Sequence, residues 1–487
     1  MSSGRPQPNS EAHDMKVVSS RIDDLPPEIL SLIFILVHQD LKTQKGAVFE
    51  GTRALSTTCK DWHQLASSIP ELWSCIHIMV NDLEGMTHSH LSAITTFLKL
   101  SRDVPLSLML ESYGPRINPF DLNHTPKLIT AAFHLLLDNF HRWRSITCKT
   151  NFKPPSIPEG SVAPYLEHVD IKFDSNDLQE AAYCRALVAA APNLRSYVDN
   201  GSIYGRFCDS TDVPWAQLHK FHFSKSISAK KALFLLDRAK SLVKLCFVML
   251  YSINFFKAEP PLFKSTSMIQ SMLIASEFPR EFQQLLSYLD TPNLDSLNLI
   301  FLVDSRSIRR FMGNLRWHCS ISIFPFLSSA SDSFRLSILG LYNVMVDESE
   351  LKVGCLRILS PSLTDLSIQT DGVMFPLEMV TNNVLKSLTC NGLTQSEPLC
   401  PTLKNFTLKR CVGADDGVLS DMVQSRLSSQ TVVNRPSYGT AVALTMLKRL
   451  NVVFTVHTHP ADEKWLNKFY EIGLNGGAVQ FAPTQVG

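Results

Sequence analysis

The chain has 487 residues, of which 45% are hydrophobic and 19% are charged. Lys and Arg total 46 against 45 Asp and Glu, so the formal net charge is +1. This balance does not supply the dense positive field on which binding to a nucleic-acid backbone depends. The longest apolar runs, residues 30–37 and 245–256, are interrupted and too short to cross a bilayer. We therefore expect a soluble protein of the cytoplasm and/or nucleus, with neither nucleic acid nor membrane as a partner.

Residues 1–20 are polar and lack the apolar stretch of a secretory signal, which predicts a disordered leader. Eleven cysteines are scattered singly, without a C-x-x-C pair. That spacing fits neither a zinc ribbon nor a disulfide framework and indicates reduced, mostly buried thiols.

A helical hairpin is predicted near the N-terminus. The first helix begins at the Pro26-Pro27 pair, since proline suits the first helical turn, and runs to about Val37. It is apolar on more than one side, which predicts two packing partners. A second helix is predicted over residues 52–68, and Leu72-Trp73 closes the unit.

Several short motifs in this hairpin resemble an F-box, in the form common in mushroom-forming fungi. They are the run from Leu25 to Leu30, the Ile33-Phe34 pair, and Leu55, Cys59 and Trp62 ahead of a Pro-x-Leu-Trp ending. In that family the hairpin binds a Skp-type adaptor, which links it to a cullin-RING ubiquitin ligase. The resemblance implies eight adaptor-facing residues: Leu25, Pro26, Ile29, Leu30, Ile33, Leu55, Cys59 and Trp62. The segment 39–51 is a longer insert than the common F-box has. Without the resemblance, a hairpin that packs both apolar faces on the following repeats remains the alternative.

An internal repeat starts at Leu166, with leucine-like residues at positions one, four and six. First positions fall at 166, 194, 218, 242, 269 and 294, and then at 363, 385, 403 and 447, with an irregular copy at 334–339. The early spacing lies within the range of about 20–29 residues that is typical of leucine-rich repeats. Helices predicted over 177–191, 228–240 and 280–290 are long enough to return the chain to a parallel neighbouring strand. Earlier strands are predicted at 75–80, 106–110 and 145–149, with helices at 90–100 and 127–143 between them.

The predicted fold is therefore α/β. An F-box helical hairpin over residues 21–77 precedes an irregular leucine-rich-repeat-like solenoid over 78–487, which has a parallel concave sheet and outer helices. A final amphipathic helix at about 462–472 would cap the last repeat.

Positions three, five and seven of each repeat are expected on the sheet face opposite the core. The early repeats place five basic or imidazole side chains there: His168, Lys172, Lys220, His222 and Lys244. A target segment that carries carboxylates or phosphates would pair with them through charge-assisted hydrogen bonds. The alternative is a solvated strand face without a specific ligand.

No nucleotide, hydrolase or zincin motif occurs, so no catalytic residue, cofactor or metal site is predicted. Two His-x-His pairs, at 88/90 and 457/459, are interpreted as solvated or capped histidines, because a metal site needs a third or fourth ligand.

The resulting hypothesis is a non-enzymatic substrate-recognition subunit of an SCF-type ligase, bound to a Skp-type adaptor and through it to a cullin, with an unknown target protein. A leucine-rich-repeat interaction scaffold without a ligase role is the alternative, and an enzyme on an irregular α/β frame is a third possibility.

Overall fold

A computed structural model describes most of the chain. The described residues are 22, 25–41, 47–80, 86–112, 127–150, 154–173, 178–200, 214–250, 265–276, 279–302, 326–327, 335–344, 346–371, 379–390, 399–427, 432–434, 441–443, 445–454 and 459–471. The predicted leader, residues 1–20, lies outside them. The chain divides into two compact units, Met1–His77 with Ser89–Ser107, and Ile78–His88 with Leu108–Gly487. The smaller unit thus includes residues 89–107 in addition to the predicted 21–77 domain.

The smaller unit is helical. Its elements are α1 (Pro27–Leu41), α2 (Ala47–Thr57), α3 (Lys60–Ser68), a 3-10 turn (Pro70–Trp73) and most of α4 (His88–Leu100). The prediction of a single helix over 52–68 is wrong, because α2 ends at Thr57 and α3 begins at Lys60, with Cys59 between them. Cys59 adopts an extended conformation with φ −155° and ψ 174°, and its sulfur accepts the backbone N–H of Trp62 at 3.5 Å. The predicted insert 39–51 is helical at both ends, and its residues 42–46 lie outside the described part.

Trp73 is central to the core of this unit, with 4% of its surface exposed. Its indole N–H donates to the carbonyl of Ala66 at 2.8 Å, and its ring packs edge-on against Phe97 with centroids 4.9 Å apart. Phe34 of α1 and Trp62 of α3 make a second ring contact, also at 4.9 Å. These aromatic contacts join α1 to α3 and the 3-10 turn to α4.

Most of a thirteen-stranded sheet lies in the larger unit, and neighbouring strands of this sheet follow one another along the chain. Its order is β1-β2-β3-β4-β5-β6-β7-β9-β11-β12-β13-β14-β17. The strands are β1 (Cys75–Val80), β2 (Leu106–Ser112), β3 (Trp143–Thr150), β4 (His168–Phe173), β5 (Ser196–Asp199), β6 (Lys220–Ile227), β7 (Lys244–Leu250), β9 (Ser271–Ser276), β11 (Ser296–Phe301), β12 (Ile338–Tyr342), β13 (Asp365–Gln369), β14 (Asn405–Lys409) and β17 (Arg449–Val453). From β3 to β17 every described pairing is parallel.

Among the described residues, two small sheets lie outside this order. One pairs β8 (Ser265–Thr266) with β10 (Leu289–Asp290) in parallel, and the other pairs β15 (Val432–Asn434) with β16 (Ala441–Ala443) in antiparallel fashion.

Helices connect many of the strands, as parallel pairing requires. They are α5 (Lys127–Leu137), α6 (Leu178–Ala189), α7 (Ala229–Arg238), α8 (Pro279–Ser287), α9 (Arg357–Leu359, continuing a π-helical segment Glu350–Leu356), α10 (Asn382–Leu388), α11 (Val418–Leu427) and α12 (Pro460–Glu471). Among the described helices, none has the length and apolar composition that a membrane span requires.

The fourth position of each repeat forms a continuous row through the sheet, which we call the core ladder. Each member is the lateral partner of the next: Ile146, Val169, Tyr197, Phe221, Leu245, Met272, Leu297, Leu339, Leu366, Phe406 and Leu450. All are at most 5% exposed. Because a slip of one residue would turn the whole row to the other face, the apolar pattern fixes the register.

Three predicted elements need correction. Residues 385–388 of the repeat predicted at 385–390 belong to helix α10, whose start Thr381 caps by accepting the backbone N–H of Val384 at 3.4 Å. The irregular copy predicted at 334–339 starts two residues later, with Leu336, Leu339 and Leu341 all fully buried. The helix predicted to reach residue 143 ends at Leu137, and residue 143 begins β3.

Candidate functional site

Helix α1 divides its apolar residues between a buried and an exposed side. Leu30, Phe34 and His38 follow one another at four-residue spacing and are 7%, 0% and 3% exposed. The other side carries three exposed residues, which together with Leu25 just before the helix we call the α1 stripe. The exposed fractions are 36%, 44%, 57% and 61% for Leu25, Ile29, Leu32 and Leu36. Ile29, Leu32 and Leu36 lie in one line along the helix at three- and four-residue spacing, and Leu25 precedes the first residue of α1 by two positions.

Contacts on the buried side fix the rotation of α1. The hydroxyl of Thr52 donates to the carbonyl of Leu72 at 3.1 Å and lies 3.4 Å from the Nδ1 atom of His38. Together with the Phe34–Trp62 ring contact, this holds the opposite side of α1 outward.

The concentration of exposed apolar surface is unusual for one segment. Twelve large hydrophobic side chains are exposed among the described residues, and six of them lie between Ile22 and Val37. Scattered exposed leucines need no explanation, whereas a contiguous apolar patch marks an interaction site. The α1 stripe is therefore a candidate docking surface.

The predicted adaptor-facing residues are distributed unevenly. Leu25, Pro26, Ile29 and Cys59 are exposed, and Ile33, Leu55 and Trp62 are partly exposed. Leu30 is buried, so this side chain stabilises the unit from inside, and its contact with an adaptor stays a prediction.

Sequence reasoning missed the two most exposed members of the stripe, Leu32 and Leu36. Their signal was present in the four-three-four spacing that starts at Leu25. It was obscured because α1 is apolar on both sides, so periodicity alone did not separate the inner from the outer residues.

The F-box resemblance has independent support, since residues 22–79 match the F-box-like family. The match covers α1, α2, α3, the 3-10 turn and nearly all of β1. No curated protein matches the chain. The fold is thus an F-box-like helical domain followed by a mostly parallel α/β sheet.

A second candidate surface lies on the sheet face opposite the core ladder. We call the five predicted substrate residues the basic face: His168, Lys172, Lys220, His222 and Lys244. All five occupy β4, β6 or β7, and all except the half-buried His222 are exposed. Within the parallel register, one row runs from His168 through Ser196 of β5 to Lys220 and Lys244.

The basic face has an excess of positive charge. Among the described residues, Glu167 pairs with Arg144 at 3.4 Å and lies 3.7 Å from the Nε2 atom of His168, and Asp170 pairs with Lys149 at 3.1 Å. Lys220 and Lys244 are lateral partners, and neither takes part in an ion pair with the described residues. Like charges directly opposite each other on neighbouring strands destabilise a sheet. The arrangement is therefore one that a bound anion would stabilise.

Burial lowers the pKa of both histidines on this face. For His168, Glu167 opposes the effect and the cations Arg144, Arg195 and Lys220 reinforce it. For His222, the pKa is lowered by burial and then by Lys220, against the attraction of Asp170. The lowered pKa favours the neutral imidazole, which offers one N–H donor and one nitrogen acceptor.

Cys246 lies beside this row, with its sulfur 3.9 Å from the Nε2 atom of His222. Burial raises the pKa of its thiol to about 11. The thiol is therefore protonated at neutral pH and is not an activated nucleophile.

Proposed function

We propose that this protein is a non-enzymatic substrate-recognition subunit of a cullin-RING ubiquitin ligase of the SCF type, acting in the cytoplasm and/or nucleus. The α1 stripe carries the proposal, because it is an outward-facing apolar line inside a domain that matches the F-box-like family. Its partner would be a Skp-type adaptor, which connects to the cullin.

Burial of the stripe would supply a substantial part of the binding free energy. Full burial of one exposed leucine or isoleucine side chain is worth about 1.5–3 kcal/mol. Such anchors near the centre of an interface dominate affinity, while the surrounding polar contacts exclude water. Leu32 and Leu36, with 57% and 61% still exposed, have the most to gain from a partner.

The α/β part would hold the target as an irregular leucine-rich-repeat solenoid, attached to an F-box of the type common in mushroom-forming fungi. Sequential strand order, parallel pairing and the core ladder support this proposal, since stacked repeats bury a continuous core in this way. The basic face would then contact a carboxylate-rich or phosphorylated segment of the target. Catalysis is left to other subunits, and the chain raises the effective concentration of the target near the conjugating enzyme.

Substitution of the stripe tests the adaptor proposal. Leu32→Glu places a charge at the centre of the stripe without disturbing the buried side of α1. We expect affinity for a purified Skp-type adaptor to fall at least about tenfold, since burial of an unpaired carboxylate costs more than about 1.4 kcal/mol. Isothermal titration with the full-length chain measures the loss, and circular dichroism checks that the fold is kept.

Val162→Glu is the matched control, because Val162 is 55% exposed and lies in the larger unit. It should bind the adaptor like wild type. Equal adaptor affinity of the Leu32→Glu and wild-type chains would remove the main support for a ligase role and favour an interaction scaffold.

A further inference from the structure

Three potential metal ligands meet where α11 and α12 begin. One carboxylate oxygen of Asp416, one of Asp462 and a ring nitrogen of His459 all lie within 4.8 Å of one another. Asp462 is fully buried and His459 is 4% exposed, whereas Asp416 reaches the surface. The sequence places the last two residues close together but gives no sign of Asp416, which comes from a distant part of the chain.

Hydrogen bonds explain only part of this cluster. Asp416 accepts the backbone N–H groups of Ala461 and Asp462 at 3.0–3.1 Å, so it caps the start of α12. The Oδ1 atom of Asp462 accepts the backbone N–H of Ser420 at 2.8 Å. These contacts occupy neither the Nδ1 atom of His459 nor the Oδ2 atom of Asp462.

Those two atoms are buried and lie 3.3 Å apart, which is an ion-pair distance if the imidazole is protonated, but neither forms a hydrogen bond of good geometry within the described part of the chain. Buried polar atoms are rarely left without partners, because desolvation then costs about 1–3 kcal/mol each. Two ligands on one tetrahedral zinc ion, each about 2.0–2.1 Å from the metal, are themselves separated by about 3.3–3.4 Å. The observed separation fits a shared cation.

The side chains are also held in the orientation that a ligand needs. The ring of His459 stacks on Phe454 with centroids 4.5 Å apart and planes 20° from parallel. Both carboxylates are oriented by backbone N–H groups, as outer-shell hydrogen bonds commonly orient metal ligands.

We propose that Asp416, His459 and Asp462 bind a divalent transition-metal ion such as Zn²⁺. One imidazole nitrogen with two carboxylate oxygens suits zinc better than calcium or magnesium, which prefer sites made of oxygen alone. Three protein ligands leave a fourth position for water. The ion joins the start of α12 to the segment before α11 and so holds α12 in place.

The test uses the full-length chain after removal of metals with a chelator. Titration with Zn²⁺ should show one equivalent bound through these residues and a higher midpoint of thermal unfolding than in chelator. Asp416→Asn keeps an oxygen acceptor for the cap of α12 but removes a charged ligand, and it should weaken zinc binding at least about tenfold. His459→Gln should do the same, and Co²⁺ bound to wild type should lack thiolate charge-transfer absorption.

Asp421→Asn is the control, since Asp421 is an exposed carboxylate on α11 outside the cluster. It should bind zinc like wild type. If wild type binds no zinc, or if Asp416→Asn and wild type bind it equally, the proposal is overturned. Zinc retained by both cluster variants would belong to thiols elsewhere and would also count against it. Asp416 is at the surface, so Asp416→Asn should fold and can test the proposal even if His459→Gln fails to fold.

Discussion

Arg426 shows how a single residue stabilises the connection between α10 and β14. Only 2% of its surface is exposed, and its guanidinium donates to three backbone carbonyls, those of Leu388, Leu399 and Cys400, at 2.8, 2.7 and 2.9 Å. Burial lowers the pKa of this group, but arginine remains charged at neutral pH. Arg426 on α11 thus binds backbone carbonyls that precede and follow residues 391–398 in the chain.

Replacement of Arg426 by Met should therefore destabilise the protein. The substitution keeps most of the aliphatic stem and leaves three carbonyls without their donor, which we expect to lower the free energy of unfolding by about 3 kcal/mol. Urea unfolding followed by circular dichroism measures the change. Arg357→Met, at an exposed site in α9, should stay within about 0.5 kcal/mol of wild type. Equal midpoints for the two variants would contradict the assigned role.

At the scale of elements, the secondary structure and the buried face of the repeats differ in how well they can be predicted from the sequence. Members of the core ladder such as Val169 and Leu297 were predictable, because alternation with period two identifies the buried face directly. The helix at position 385 could not be predicted, since a spacing of three residues between Leu385 and Leu388 fits both a helix and the repeat pattern. The structure forms the helix, whose start is capped by Thr381. Cys59 was missed as a helix boundary because its sulfur is a weak acceptor and cysteine is not a typical capping residue.

The charge balance of the basic face could not be predicted from the sequence, for a related reason. Lys220 and Lys244 could be placed on the outer face, but the pairs that neutralise Glu167 and Asp170 depend on which strands are neighbours. Only the parallel register shows that positive charge remains in excess there.

The lowered pKa values of His168 and His222 predict a pH-dependent affinity for anions. A bound carboxylate favours the protonated imidazole and raises its pKa, so binding takes up protons and strengthens as the pH falls below the ordinary histidine value of about 6.5. Over the same window the folded state alone loses stability, because its histidines bind protons more weakly than those of the unfolded chain. Between pH 7.5 and 5.5 we expect affinity for a glutamate-rich peptide to rise about three- to tenfold.

Fluorescence anisotropy of the labelled peptide measures this dependence. Glutamate keeps its charge over the range, whereas a phosphopeptide would itself titrate near pH 6. The double variant His168→Gln with His222→Gln should flatten the profile, and His141→Gln, at an exposed site before β3, should not. A profile that stays flat in wild type would show that the two histidines do not face the bound anion.

At the scale of the whole molecule, the α1 stripe and the basic face belong to different compact units of one chain. A receptor that works by proximity needs both surfaces on the same chain, because the covalent connection raises the local concentration of target to about the millimolar range. Each surface should then be separable from the other by mutation. Leu32→Glu should lose the adaptor and keep the glutamate-rich peptide, and Lys220→Glu with Lys244→Glu should do the reverse.

Complementation in a reconstituted ubiquitin-transfer assay tests this connection. The substrate is a reporter protein that carries the glutamate-rich peptide as a tail. Either variant alone should reduce reporter ubiquitylation to the level seen without receptor, and a mixture of the two should not restore it, since no chain holds adaptor and reporter together. Addition of wild type to either variant controls for inhibition. Recovery by the mixture would show that the two surfaces need not share a chain, and it would contradict proximity within one chain as the mechanism.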